Sequence, residues 1–144
     1  MPVAVDTNFL LALADSDEDA WDAVETLRHK TRRLPLIASP IVVGEVTFFT
    51  RFAPATPLGR SSRKTVTCFA RHWRIRPEPL NSVQTGIVEQ VSLSLRRKHL
   101  VAEEEKHDSL ILAEAAVLNC VLLVMSDTDL RGSISQGLRS SFGI

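Results

Sequence analysis

Four carboxylates of this 144-residue chain stand where a charge adds little to the stability of a globular protein: Asp6, Glu45, Asp108 and Asp127. Two of them follow short apolar segments typical of strands, and the other two share a helical face with apolar residues. Unpaired charge is costly to bury, and neighbouring carboxylates raise one another's pKa unless a cation lies between them. Carboxylate oxygens favour Mg²⁺ or Mn²⁺ as that cation. The pattern therefore predicts a divalent-metal site.

Each acid also has a simpler interpretation when it is taken alone. Asp6 fits a turn or a helix N-cap, Glu45 the rim of a helix, and Asp108 a first-turn cap. Asp127 fits a loop, and Asp129 competes with it as the fourth acid. We favour Asp127 because it comes first after the strand. The metal hypothesis depends on all four acids occurring in one short chain.

The elements that must position these acids alternate between strands and helices. Apolar runs predict buried strands over 1–5 and 120–125 and a strand over 34–38, with an extended piece over 74–80 and a loop over 52–59. Capping residues and apolar periodicity predict helices over 16–30, 39–51, 61–73, 81–99 and 103–119. This alternation is typical of an α/β fold with a mostly parallel sheet and helices on both faces. Ligands of such sheets bind beyond the carboxyl ends of the strands, where Asp6 and Asp127 are expected.

Composition limits the class of protein. A length of 144 residues with 44% hydrophobic and 24% charged residues predicts a single globular domain over residues 1–144. No apolar run has the length of a membrane span, and the N-terminus lacks the pattern of a signal peptide. The two cysteines, Cys68 and Cys120, are too far apart and too few for a disulfide scaffold or a zinc module. We expect a cytoplasmic protein with no membrane partner.

The neutral net charge hides a strongly basic middle third. Residues 51–100 hold 10 basic and 2 acidic residues, whereas the rest of the chain holds 7 basic and 15 acidic ones. Such a segment can bind a polyanion, and Arg71, Arg74 and Arg76 are the candidate RNA contacts. Trp73 either stacks on a base or packs in the core. The alternative is that these arginines are a solvated surface without a ligand.

Four motifs, in order, resemble the PIN-domain ribonucleases, and closely the VapC-type toxins of VapBC toxin–antitoxin systems. The motifs are Val5-Asp6-Thr7-Asn8-Phe9-Leu10-Leu11, Ser39-Pro40-Ile41-Val42-Val43-Gly44-Glu45-Val46, His107-Asp108-Ser109-Leu110-Ile111-Leu112-Ala113-Glu114-Ala115 and Leu123-Val124-Met125-Ser126-Asp127-Thr128-Asp129-Leu130. The resemblance covers essentially the whole chain. It departs from the family at Met125, where threonine is frequent, and at Leu130, where phenylalanine is frequent.

The resemblance implies a PIN-like three-layer α/β/α sandwich and a metal-dependent endoribonuclease. Asp6, Glu45, Asp108 and Asp127 would form the acidic quartet that holds one or two Mg²⁺ or Mn²⁺ ions, with Thr7, Asn8 and Ser126 in support. Hydrolysis by activated water would leave a 5′-phosphate and a 3′-hydroxyl. The implied partners are RNA and a cognate antitoxin protein, and we expect a homodimer.

Other functions compete with a toxin nuclease. One is a stand-alone PIN nuclease of RNA processing, and another is a PIN fold used only for interaction, whose usual mark is a missing acid. A third is a phosphotransfer protein of the HAD or receiver type. HAD chemistry uses Asp-x-Asp after the first strand, where this chain has Asp6-Thr7-Asn8. A receiver uses a lysine after a late strand, and none follows 121–125 closely.

Overall fold

Four short strands form one parallel sheet in the computed structural model, which describes residues 1–30, 34–98, 100–101 and 106–125. The strands are β1 (Val3–Val5), β2 (Leu36–Ala38), β3 (Ile75–Pro77) and β4 (Leu122–Val124). Their order across the sheet is β3-β2-β1-β4, and all three pairings are parallel. The predicted α/β fold with a mostly parallel sheet is confirmed.

Six helices surround this sheet in the described part of the chain. They are α1 (Thr7–Ala14), α2 (Glu18–Lys30), α3 (Pro40–Phe52), α4 (Pro57–Cys68), α5 (Ser82–Arg97) and α6 (Lys106–Val117). None of the helices in the described ranges is long and apolar enough to cross a membrane.

The core lies on both faces of the sheet because successive strand residues point to opposite sides. Val3 and Val5 of β1 pack in the main cluster with α1, α2 and α3. Ala4, between them, packs on the other side with Ile37 of β2 and Ala115 of α6. Helices therefore cover both faces, and the fold is the expected three-layer sandwich.

Local capping signals predicted α3 and α5 to within two residues. α5 begins with a complete capping box, in which the Asn81 side chain accepts from the Gln84 amide at 2.8 Å and the Gln84 side chain accepts from the Asn81 amide at 3.0 Å. The predicted loop over 52–59 was too long. Thr56 caps α4 by accepting from the Gly59 amide at 3.0 Å, so that helix begins at Pro57 rather than at residue 61.

Two further expectations were wrong. The segment after Asp6 forms helix α1, which the sequence analysis did not predict because its apolar residues carry no separate start signal. Strand β4 was expected to be buried, but Leu122 is 48% exposed, and Leu123 and Val124 are only half-buried. β4 lies at one end of the described sheet and pairs with β1 alone, which explains its exposure.

Gly59 is fixed by a close approach of two backbone segments. A Cβ at this position would lie 1.7 Å from the carbonyl oxygen of Ala53. We expect Gly59→Ala to destabilise the protein by about 3 kcal/mol, the upper end for overpacking, because backbone must move to admit the methyl group. Gly86→Ala in α5 is the matched control, since nothing lies within 4 Å of its added Cβ. It should instead stabilise by up to about 1 kcal/mol through helix propensity. Denaturant unfolding of both variants measures the difference, and equal effects would contradict the prediction.

Candidate active site

Asp6 lies where the order of the strands reverses. From β1 the chain proceeds through β2 to β3 on one side, whereas β4 pairs with β1 on the other. Asp6 follows β1 directly, and its backbone N–H donates to the Val124 carbonyl of β4 at 3.0 Å. The crevice beyond such a reversal is where open α/β sheets bind ligands.

The Asp6 side chain is also the N-cap of α1. Its Oδ1 accepts the Phe9 amide at 2.7 Å, and the residue is 5% exposed. The amide ends of a helix favour negative charge, so α1 offsets part of the cost of burying this carboxylate. Asp6 can therefore be both the N-cap of α1 and a site residue. Its Oδ1 accepts a helix amide, and the residue lies at the edge of the sheet where a ligand is expected.

The neighbouring Thr7 carries a second buried oxygen at this edge. Thr7 is 5% exposed, and its hydroxyl makes no hydrogen bond within the described residues. A buried hydroxyl without a hydrogen-bond partner is destabilising, and its oxygen is a donor atom that a ligand at this edge would satisfy. Asn8, the other predicted supporting residue, is exposed on α1.

Glu45 lies in the second turn of α3 and lines a pocket of about 560 Å³. The other described lining residues are Ile41, Gly44, Phe48 and Phe49. Ile41, Phe48 and Phe49 share the helical face of Glu45, at spacings of four, three and four residues. The pocket thus combines one carboxylate with apolar and aromatic walls.

Of the remaining predicted acids, the structure describes Asp108 but not Asp127 or Asp129. Asp108 is half-buried in the first turn of α6, and its role in the site stays a prediction. Ser126, Asp127 and Asp129 lie outside the described residues. β4 pairs with β1, and the Asp6 backbone is hydrogen-bonded to Val124 at the end of β4. The choice between Asp127 and Asp129 stays a prediction.

Within the described ranges, no three acidic, histidine or cysteine side chains lie close enough together to hold a metal ion. Asp6, Glu45 and Asp108 do not form such a group by themselves, so the quartet stays a prediction. Mg²⁺ commonly uses only one or two carboxylates, with water and substrate phosphate as its other ligands. The buried carboxylate of Asp6 and the unpartnered hydroxyl of Thr7 are hard oxygen donors of this kind. The donor chemistry at this edge fits a hard divalent cation.

Glu114 is a buried acid that the sequence analysis missed as a candidate. It is 7% exposed on α6, and its Oε1 accepts the Ile41 amide of α3 at 2.9 Å. Burial raises the pKa of its carboxyl, while hydrogen bonds from the Ile41 amide and the Ser39 side chain lower it by less. The sequence signal was a single glutamate within the otherwise apolar run Leu110–Val117.

The three candidate RNA-contact arginines are exposed, whereas the neighbouring tryptophan is buried. Arg71, Arg74 and Arg76 are all exposed, and Arg76 forms an ion pair of 3.0 Å with Glu78. Trp73 is 6% exposed and packs edge-on against Trp21, with ring centroids 5.7 Å apart. The core interpretation of Trp73 is therefore correct, and the base-stacking interpretation is excluded by burial.

The chain is an α/β protein with a buried carboxylate, Asp6, at the carboxyl edge of a parallel sheet. The PIN domain family model matches residues 3–132, and the chain belongs to that family. The match favours a nuclease over the phosphotransfer alternative. No curated protein matches the sequence closely enough to count as a relative.

Two solved structures show the same fold. One is VapBC2 from Rickettsia felis bound to a DNA fragment from their promoter, with a TM-score of 0.68 and 15% identity over 93% of this chain and 96% of that chain. The other is VapC20 from Mycobacterium tuberculosis, a Sarcin-Ricin loop cleaving toxin, with a TM-score of 0.55 and 20% identity over 91% and 94%. At these identities the likeness establishes the fold, which is that of the VapC-type toxins.

The raised pKa of Glu114 predicts a pH-dependent effect on stability. The folded protein holds the carboxyl proton to higher pH than the unfolded chain, so ionisation of Glu114 weakens the fold as pH rises above the unfolded value of 4.5. We expect Glu114→Gln to gain in Tm relative to wild type between about pH 4 and about pH 7, because glutamine cannot ionise.

Thermal unfolding at both pH values measures this difference. Glu89→Gln, at an exposed position of α5, controls for the loss of one negative charge. A Tm difference between Glu114→Gln and wild type that is the same at both pH values would contradict the assignment.

Proposed function

We propose that this chain is a metal-dependent endoribonuclease and the toxin of a toxin–antitoxin pair, built as one domain and acting in the cytoplasm. The observation that carries the proposal is Asp6, a carboxylate only 5% exposed at the reversal point between β1 and β4. Membership of the PIN family and the VapC-type fold support it. Both cysteines are free thiols, as expected in a reducing compartment.

The proposed mechanism assigns separate tasks to the residues of the chain. Asp6 and, after β4, Asp127 would hold one or two Mg²⁺ or Mn²⁺ ions, with Glu45 and Asp108 completing the acidic site. The ions supply Lewis acidity, which lowers the pKa of the attacking water and stabilises charge on the phosphate. The α1 amide bound to Asp6 Oδ1 fixes the orientation of that carboxylate. The Thr7 hydroxyl and Ser126 would orient water or ligand beside it.

We propose that the basic segment contributes to RNA binding away from the acids, because Arg71 and Arg74 precede β3 at the amino edge of the parallel sheet, whereas Asp6 lies at the carboxyl edge. Arg71 and Arg74 are exposed, and neither forms an ion pair within the described residues, whereas Arg76 shares its charge with Glu78. Positive side chains bind the phosphates of a single strand without reading its sequence. These arginines would therefore set the affinity for RNA, and the acids would set the rate of cleavage.

The proposed antitoxin would cover the pocket on α3. Beside Glu45 the helix exposes aromatic rings, with Phe48 at 54% and Phe52 at 67% exposure and their centroids 4.7 Å apart. An amphipathic segment with apolar anchors and one basic residue complements such a surface. A homodimer is also proposed, and the mass of the purified chain in solution tests it.

Removal of metal tests the mechanism. We expect purified protein to cleave RNA with Mg²⁺ or Mn²⁺ and to lose activity in EDTA. Asp6→Asn should lower the rate at least about 100-fold, as when one electrostatic contact to a transition state is lost. It should still fold, because asparagine is an equally good N-cap. Asp17→Asn, at the cap of α2, is the control and should keep full activity. Full activity in EDTA or in Asp6→Asn would exclude the mechanism.

Replacement of the arginines separates RNA binding from catalysis. In Arg71→Ala/Arg74→Ala/Arg76→Ala the log–log salt slope of RNA affinity should flatten by up to about 0.7 for each lost phosphate contact. Cleavage of saturating RNA should fall less than cleavage of dilute RNA. Arg97→Ala on α5 serves as a single-charge control. A salt slope equal to that of wild type would show that the segment is only a solvated surface.

The antitoxin proposal is tested with the product of a short neighbouring reading frame. We expect this protein to bind the chain and suppress RNA cleavage, and Phe48→Ser/Phe52→Ser to weaken the binding because the apolar anchors are lost. Val83→Ser, at an apolar position of α5 with 72% exposure, is the control. If no such protein binds and inhibits, a stand-alone PIN nuclease is the better description.

A further inference from the structure

Helix α3 begins with a cap that its own sequence does not supply. Ser39 occupies the N-cap position, but its side chain makes no capping hydrogen bond. Pro40 has no N–H, so the first amide of the helix that needs an acceptor is that of Ile41. Glu114 Oε1, from α6, accepts this amide at 2.9 Å. A residue 73 positions away in sequence thus does what an N-cap side chain normally does.

Unlike an exposed N-cap residue, Glu114 caps the helix from a buried position, where an ionised carboxylate is disfavoured. It is 7% exposed, and burial is the main influence on its carboxyl. The Ile41 amide and the Ser39 hydroxyl donate to it, and the positive end of α3 favours its charge. These contacts offset burial only in part, since the pKa is still raised. The contact therefore fixes the start of α3, and it is ionisation of Glu114 that burial disfavours.

The two helices joined by this contact carry two of the proposed site acids. Glu45 follows Ile41 by one helical turn on the same face of α3. Asp108 precedes Glu114 by six residues on α6. We propose that Glu114 is a positioning residue, which holds the start of α3 against α6 and thereby sets the separation of Glu45 and Asp108. This inference rests on the proposed nuclease function.

If Glu114 positions the acids, its replacement should change the kcat of RNA cleavage but not the KM for RNA. Misplacement of a reacting group by about 1 Å can cost about 100-fold in rate. The RNA-binding arginines lie on neither α3 nor α6, so the KM for RNA should not change. A cap that merely stabilised the fold would lower the folded fraction and leave the kcat of the folded molecules unaltered.

Four variants test the proposal in cleavage assays with Mg²⁺ or Mn²⁺, with kcat expressed per folded molecule. Glu114→Ala removes the acceptor, and its kcat should fall by about 10- to 100-fold at unchanged KM. Glu114→Gln keeps an acceptor oxygen for Ile41 and should restore kcat to near the wild-type value. Glu114→Asp withdraws the carboxylate by one C–C bond, about 1.5 Å, and its kcat should lie between those of wild type and Glu114→Ala. This variant keeps the test possible if Glu114→Ala does not fold. Asp17→Ala removes the cap of α2 as a control for lost stability, and its kcat should not change.

Amide hydrogen exchange gives a readout that does not require activity. Exchange of the Ile41 amide should be slow in wild type and Glu114→Gln and faster in Glu114→Ala, whereas the α2 cap should respond only to Asp17→Ala. If kcat per folded molecule in Glu114→Ala and Glu114→Asp equals that of wild type, the positioning role is overturned while the nuclease stands. If the Ile41 amide exchanges equally in all variants, the contact itself is refuted. If wild type cleaves no RNA, the proposed function falls and this inference falls with it.

Discussion

Parallel pairing of β4 with β1, opposite to the side on which β2 pairs, is the constraint on which the site depends. Val5 lies in register with Val124, and the next backbone N–H, that of Asp6, donates to the Val124 carbonyl. Strands β1 and β4 therefore end side by side at the carboxyl edge of the sheet. If β4 lay beyond β3 instead, β1 would be at the end of the sheet. The strand order would then not reverse at Asp6, and there would be no crevice there.

Buried carboxylates in this fold share one physical solution. Asp6 and Glu114 are nearly inaccessible to water, and each accepts an amide from the first turn of a helix, α1 and α3 respectively. A helix N-terminus offers unsatisfied donors together with positive potential, which lowers the cost of burying a negative group. Asp6 serves a helix that follows it in sequence, whereas Glu114 serves a helix from another part of the chain. Acceptance of a helix N-terminal amide thus holds Asp6 at the sheet edge, and in the case of Glu114 it joins α6 to α3.

Local sequence was sufficient for α3 and α5 but not for α4, whose Thr56 cap and Pro57 lay within the predicted loop. Ser39-Pro40 and Asn81 predicted the starts of α3 and α5, because Pro at N1 and a capping side chain act within one turn. α1 was missed because its start signal is Asp6, whose N-cap interpretation was treated as an alternative to the site and not as the start of a helix. Trp73 could not be assigned from spacing, since a tryptophan in a basic segment fits both a core and a stacking surface. Its burial against Trp21 comes from a distant helix.

The sequence by itself determined which acids the chain carries and on which kinds of element they lie. Asp6 follows a strand, Glu45 lies within a helix and Asp108 lies in a first turn, and each placement depends on neighbours a few residues away. Only the tertiary structure decided that β4 lies beside β1 and that Glu114 reaches Ile41. The physical reason is range: capping and helical periodicity are local interactions, whereas strand order and contacts between helices are selected by burial of the whole core.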